Sequence, residues 1–531
     1  MDVSVIAIGA LILLGGAYFV YGRRLDKNFG IDPKRDTPSH TQADGLDYIA
    51  AKHWTVLFGH HFASIAGAGP IVGPIIAVSL WGWGPSILWI ILGTIFLGGV
   101  HDFGSLLVSM RHQANSIAEI SKELISRRAK IFFSTFVFLA LILVIAVFAV
   151  LCAKTFVVQP EIVLPSLGLI PLAIFAGIGF YNLKLNQLFV TFLSLIILGV
   201  LLFLGIYFPV KITIPQVFNF WLVILFLYSY LASVLPVNIL LQPRDYLSSF
   251  LLFFGLVLGY LGIFVSSPRI NLPVYISWNT ESGLLWPMLF VTIACGAISG
   301  FHSLIASGTT SKQISSEKDV RKIGYGAMVL EGVLAVMTVL VIAGSFSSQS
   351  SLNEVLQNKG GPIRAFGEGF GKLTHSFLKG HGGFFAILIL NAFILTTLDT
   401  ATRICRYIIT ELLNISNRHF ATILVIGLSA GLAFTKKWEK IWSIFGASNQ
   451  LVAALALLVI SSWLLSQRKK FYFVALPAIF MLLTTLGALI YQFKNFYREK
   501  NFLLGGIALV LVFLALFMAL EAKRVLRKIK G

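Results

Sequence analysis

Apolar residues in this chain run in long unbroken stretches, without the alternation of a strand or the half-polar stripe of a surface helix. About fifteen such stretches, each near the ~20 residues needed to cross a bilayer core, predict a polytopic all-α membrane protein. The first runs from Val3 to Val20 and is followed by Arg23, Arg24 and Lys27. Positive charge after that stretch, rather than before it, predicts a retained span with its N-terminus outside. The remaining spans are predicted over 54–80, 84–110, 131–152, 162–181, 187–208, 219–240, 248–266, 284–306, 324–346, 384–410, 420–434, 441–464, 471–491 and 503–520. Threading them alternately puts Arg111, Lys122, Arg127, Arg128 and Lys130 in one inner loop, and Lys312, Lys318, Arg321 and Lys322 in another. An outer turn with Lys436, Lys437 and Lys440 runs against this asymmetry. The connection 347–383, rich in Ser, Gly and Lys, reads as a flexible cap or lid.

Composition agrees. Of 531 residues 57% are hydrophobic and 12% charged, and the mean hydropathy is +0.87, which excludes a soluble enzyme and a disordered protein. The 41 Lys and Arg against 22 Asp and Glu give +19, a balance that inner loops explain without nucleic acid. The surrounding partner is membrane lipid. Three cysteines, Cys152, Cys295 and Cys405, sit in apolar stretches and imply neither a disulfide framework nor a metal or cofactor.

Candidate chemistry begins in the span 54–80, whose middle carries Gly67, Gly69, Gly73, Pro70 and Pro74. Pro70 lacks an amide hydrogen, and glycines admit backbone angles that a helix forbids, so the helix is expected to break there. Backbone freed at bilayer depth is tolerated only beside protein or a water-filled cavity, which points to a binding site, although a simple Pro kink is the alternative. A second interruption, Ser233, Pro236 and Asn238, is read inside the span 219–240. Two broken helices five spans apart predict an inverted repeat of five plus five helices with substrate held midway. The organisation is then 1–53, a transmembrane helix and inner linker; 54–208, the first repeat; 219–410, the inverted second repeat; and 420–531, accessory helices, giving about five additional spans in all.

Ionisable residues within spans are functional candidates by default. His60, His61 and Ser64 flank the first break, and His101 and Asp102 lie in the next span; histidine suits a proton-coupled step, with hydrogen-bonded packing as the alternative. Ser299, His302, Ser303 and Ser307 follow Gly296 in the span 284–306 and its exit. The hydroxyls of Ser299, Ser303 and Ser307, the last just past the span, form a stripe that could ligate a hard cation, or serve only close packing, while His302 is a candidate for ion coupling. Asp399 and Arg403, four apart in 384–410, read as an intrahelical ion pair, or as a gate or proton carrier that switches partner, and Glu331, the one acid of its span, is open to the same structural and functional readings. The segment from Ser443 to Gln450 is expected to be structural or oligomeric.

The strings L-F-G-H-H-F-A-S-I-A-G-A-G-P-I-V-G-P, W-G-W-G-P, G-G-V-H-D-F, A-C-G-A-I-S-G-F-H-S-L-I-A-S-G-T-T-S-K-Q, L-D-T-A-T-R and F-G-A-S-N-Q-L resemble the carbon starvation protein A (CstA) family, in family order from Asp44 to Leu451. The resemblance implies a bacterial inner-membrane transporter, linked to peptide uptake in some members and to pyruvate uptake with protons in others, and a LeuT-like fold. On this reading the chain imports a carboxylate-bearing small molecule, peptide ahead of pyruvate, with H+ or alternatively Na+ as coupling ion. Gly67, Gly69 and Pro70 receive the carboxylate, Ser233 and Asn238 face it, and the His and Asp residues couple protons. The competing readings are an intramembrane metal-dependent hydrolase built on the His-Asp cluster, and a nutrient receptor.

Overall fold

The computed structural model describes all residues except Met1, Leu46, Ser416, Lys436, Lys437 and Gly531, so two of the turn lysines lie outside the described residues. Its helices are α1 (Val3–Phe29), the half-helices α2 (Trp54–Ile65) and α3 (Gly69–Trp81), α4 (Trp83–Arg111) and the short amphipathic α5 (Ile117–Leu124). There follow α6 (Arg127–Val158), α7 (Pro160–Asn182), α8 (Gln187–Tyr207), α9 (Val217–Val234) and α10 (Leu241–Ser266). The second half comprises the half-helices α11 (Leu285–Thr292) and α12 (Gly300–Gly308), α13 (Glu317–Ser345), α14 (Gln349–Asn358), α15 (Gly361–Leu373) and α16 (Gly382–Leu413). It ends with α17 (Arg418–Ala433), α18 (Trp438–Ser466), α19 (Tyr472–Arg498) and α20 (Phe502–Lys530). A two-residue hairpin, Asn279–Thr280 with Gly283–Leu284, is the sole sheet among the described residues.

Among the described residues, twelve helices are long and apolar enough to cross a membrane, and thirteen with the bent pair α2–α3 counted as one span. The two remaining apolar stretches of the sequence are the interrupted α11–α12 and the 16-residue α17. Burial separates the helices by role. α6, α16 and α18 are almost wholly enclosed, whereas α1 and α8 turn residues such as Ile12, Phe19, Leu188 and Phe192 outward, as lipid contact requires. One end of the bundle gathers Arg35, Arg111, Glu317 and Lys469; the sequence asymmetry marks it as the inner face.

Two expectations are corrected here. The connection 347–383 is ordered helix, not flexible loop: Ser348 and Ser351 form a reciprocal capping box for α14, and the buried face of α15 packs beneath α16. The span 219–240 is also misplaced, since α9 ends at Val234 and Pro236 and Asn238 belong to the turn before α10. Proline there interrupts nothing, because the residue before it is already extended, with Leu235 at φ −72° and ψ 152°.

Candidate functional site at two abutting helix breaks

The first break falls where the sequence places it. α2 ends at Ile65, Ala66 leaves helical geometry with ψ 84°, and α3 starts at Gly69 with a bend of 41°. Pro70 does not kink a helix; it occupies the first turn of α3, where its missing N–H leaves no bond unmade. The second break is Ile293–Ser299, between α11 and α12, in the segment read from sequence as a continuous span. Its glycine and small residues do release the backbone, and the signal was the C-G-A-I-S-G string itself.

The two breaks touch. A methyl on Gly69 would lie 2.4 Å from Cys295 Cβ, one on Gly73 would lie 2.4 Å from the Thr292 carbonyl oxygen, and one on Gly296 would lie 3.5 Å from Pro70 Cα. Only glycine permits backbone approach this close. Phe148 of α6 and Thr397 of α16 close over Gly67, and Thr396 donates to the Ala63 carbonyl at 2.8 Å. The start of α12 is engaged by α18: Asn449 Oδ1 accepts from the Phe301 amide at 2.8 Å, and its Nδ2 donates to Ser299 Oγ at 3.0 Å. The segment Ser443–Gln450 is therefore structural, holding the second break open.

Two fully buried ionic clusters flank these breaks. In the first, Asp245 Oδ2 lies 2.9 Å from His60 Nδ1 and accepts from Ser64 Oγ at 3.0 Å, while Asp245 Oδ1 accepts from Arg244 Nη2 at 3.1 Å. Arg244 also donates to Asp399 and to Tyr228, whose hydroxyl donates to Asp399 at 2.7 Å. α2, α9, α10 and α16 are tied together there. In the second, Asp102 Oδ1 lies 2.7 Å from His101 Nδ1 and its Oδ2 2.8 Å from His302 Nδ1; His302 Nε2 lies 3.1 Å from Glu331 Oε2. His61 Nδ1 lies 2.8 Å from Thr310 Oγ1. The Nε2 atoms of His60, His61, His101 and His302 and both carboxylate oxygens of Glu331 are buried without a hydrogen-bond partner, so the His302–Glu331 approach is a close ion-pair distance and not a hydrogen bond.

The structure thus gathers His60, His61, Ser64, His101, Asp102 and His302 around the breaks and leaves other candidates elsewhere. Ser233 Oγ lies 3.4 Å from Thr422 Oγ1 of α17, not across from Gly67. Arg403 is not the partner of Asp399: it donates to the carbonyls of Ala232, at 2.6 Å, and Leu235, capping α9. A helix end without amide partners draws the guanidinium away from the i−4 carboxylate. Two serines of the stripe donate into their own helix, Ser303 to the Gly300 carbonyl and Ser307 to that of Ser303, both at 2.7 Å, while Ser299 donates to Asn449 Oδ1 of α18 at 3.3 Å. Among the described residues no group of three His, Cys, Asp or Glu side chains is disposed to hold a metal ion. Sequence reading missed Arg244, Asp245 and Tyr228. The string Q-P-R-D-Y was assigned to a loop between spans, although two adjacent charges bounded by apolar runs were the available signal.

On the face opposite Arg111 and Glu317, a cavity of about 870 Å³ opens between α3, α6, α11, α14, α18 and α19. Its lining includes Ile76 of α3 and Thr292, the residue that directly precedes the second break, together with the amide side chains of Asn353, Gln357, Gln492 and Asn495.

The family described as Carbon starvation protein CstA matches residues 2–354 and 345–488. The chain belongs to that family. It is 31% identical to the Escherichia coli K12 "Peptide transporter CstA" over 89% of this chain and 78% of that protein. It is 30% identical to the "Pyruvate/proton symporter BtsT" of the same organism, over 86% and 77%. A Bacillus subtilis 168 "Peptide transporter CstA" aligns at 28% identity over 98% of this chain and 97% of its own length. Among solved structures, an Eremococcus coleocola manganese transporter aligns with 91% of this CstA-family chain and 99% of its own at 15% identity, with a TM-score of 0.43, too loose an overlay to argue from.

Proposed function

We propose that this chain is a secondary active transporter of the bacterial cytoplasmic membrane, importing small carboxylate-bearing nutrients, peptides ahead of pyruvate, by proton symport with alternating access. The carrying observation is the abutment of two helix breaks from separate, oppositely running spans. Irregular backbone at that depth is the hallmark of a transport site, and the antiparallel pairing is what an inverted repeat produces. The interrupted span at 285–308 favours starting the second repeat there, with the first at 54; the two breaks are then seven spans apart and not the five from which a five-plus-five repeat was expected. The CstA-family relatives carry the names of transporters, one of them a proton symporter, so a transport role and not an enzymatic one is assigned.

The electrostatics say where a carboxylate goes. A half-helix start offers unpaired amides and the positive end of its dipole. That of α12 is already engaged by Asn449, which leaves α3, around Gly67 and Gly69, as the end offered to substrate. The outward cavity lined in part by Thr292 supplies the approach, and Phe148 and Thr397 cover the site in this conformation. Since Ser303 and Ser307 donate into their own helix and Ser299 pairs with Asn449, the histidine clusters are the better coupling elements than a sodium site. Uptake of labelled dialanine and of labelled pyruvate into proteoliposomes, under a pH gradient or a sodium gradient, tests the reading. Accumulation of either compound that follows the pH gradient is expected; accumulation of neither would end it.

A further inference from the structure

Whatever carries the coupling proton must be able to change charge while buried, and the two clusters differ in whether they can. We propose that Glu331, acting with His302 and Asp102, carries the coupling proton, and that its release frees α12, the inner half of the second broken span. This rests on the proton-symport reading.

Glu331 on α13, Asp102 on α4 and His302 on α12 are all fully buried; the imidazole lies between the two carboxylates, hydrogen-bonded through Nδ1 to Asp102 and with Nε2 3.1 Å from Glu331 Oε2, an approach without hydrogen-bond geometry. A neutral imidazole has one N–H and cannot satisfy both acids, so the unpartnered Nε2 and the unpartnered Glu331 oxygens beside it can pair only when His302 is charged or Glu331 carries a proton. The two carboxylates bring two negative charges, and no arginine or lysine touches either acid among the contacts found there. Neutrality comes from bound protons alone. Two protons shared over His302, His101 and Glu331 neutralise the cluster, and loss of one to water leaves a buried net charge of −1, which the interior opposes.

Among the described residues no lysine or arginine is paired with Asp102, His302 or Glu331. α2 presents His61, itself held by Thr310, with His60 beyond it, and the second break presents Cys295. The backbone of Ile65, the last residue of α2, also lies against His302. Charge on this cluster is therefore felt at both breaks. With the proton gone, His302 keeps one carboxylate and releases the other, so α12 loses its tie to α4 or to α13.

The experiment uses the full chain in proteoliposomes with labelled dialanine and labelled pyruvate as probes. In Glu331→Gln, exchange of internal for external probe, which moves no net proton, is expected to stay within about twofold of the parent. Accumulation should fall to equilibrium, losing the about tenfold gain that one pH unit supports. Probe-induced acidification of the lumen, read by a pH dye, should vanish with it. Glu331→Gln accumulating like a proton-driven parent would overturn the assignment while leaving the transport reading intact, and so would loss of exchange in a folded variant. A parent driven only by sodium would overturn both. Should Glu331→Gln fail to fold, Asp102→Asn is put through the same two assays, and it too must keep exchange while losing accumulation.

Discussion

The two buried clusters contain the same number of carboxylates and differ in one atom group. Asp245 and Asp399 share a guanidinium that is charged at every physiological pH, while Asp102 and Glu331 share an imidazole that is not. The first is consequently a fixed brace. It joins α10 to α16 and, through His60 and Ser64, holds α2 beside them. The second can be loaded and emptied, and it sits on the helix that emerges directly from the second break. A transporter needs both kinds: a frame whose charges never change, and a contact whose charge does.

Removing the guanidinium should do the most damage. Arg244→Gln strands two carboxylates that are fully buried, and breaking a buried ion pair from one side costs about 3–5 kcal/mol. The expected outcome is loss of monodisperse protein in detergent and a large drop in thermal midpoint, with part of the loss recovered in the double variant Arg244→Gln, Asp399→Asn. If the single variant melted like the parent, the brace would have no structural role. His302→Gln should cost less, about 1.5–3 kcal/mol, because glutamine keeps a donor for Asp102 and Asp102 keeps His101. Equal thermal losses in the two variants would erase the distinction between the clusters.

A third substitution separates the breaks from the charges around them. Gly73→Ala places a methyl 2.4 Å from the Thr292 backbone oxygen, which cannot rotate away, and overpacking of this kind costs about 1–3 kcal/mol. Gly9→Ala on α1 meets nothing within 4 Å and serves as the control. Uptake should fall in the first and persist in the second. Unchanged uptake in Gly73→Ala would mean the close crossing of α3 and α11 is dispensable.

These sites were unequally legible in the sequence. Hydropathy reveals spans because each must be apolar over a bilayer's width, and the first break was legible because glycine and proline act locally. The second break was not, since C-G-A-I-S-G contains no proline, and its opening depends on Asn449 reaching in from a distant helix. Ser233-Pro236 misled for the opposite reason: the residues are right for a break, but only span boundaries decide whether they fall within a helix or at its end. Pairing was least legible of all. Asp399 has Arg403 one turn away, yet its partner is Arg244, 155 residues distant, because α9 claims Arg403 for its own carbonyls. His101 and Asp102 were found, while the Glu331 to which they connect was seen only as a lone acid.

The smallest expected effect lies where solvent replaces protein around the same chemistry. On the inner face, Glu119 of α5 pairs with Lys130 and, at 3.3 Å, with Lys122. Partial burial pushes its carboxyl up, but the two lysines outweigh it and hold the pKa below the usual carboxylate value. A depressed folded-state pKa contributes stability at pH above the ordinary carboxylate range, and that contribution is lost as pH falls through the folded value. Glu119→Gln should therefore lower the thermal midpoint slightly at neutral pH, by no more than the equivalent of about 1 kcal/mol, and the gap from the parent should close as the pH is taken well below 4. High salt should narrow the same gap, because screening acts on charges that water reaches. Added salt should leave the Arg244→Gln deficit nearly untouched, since Asp245 and Asp399 are fully buried and buried charges are screened far less than exposed ones. A salt-insensitive gap at Glu119, or a salt-sensitive one at Arg244, would show that burial is not what separates a brace from a surface pair.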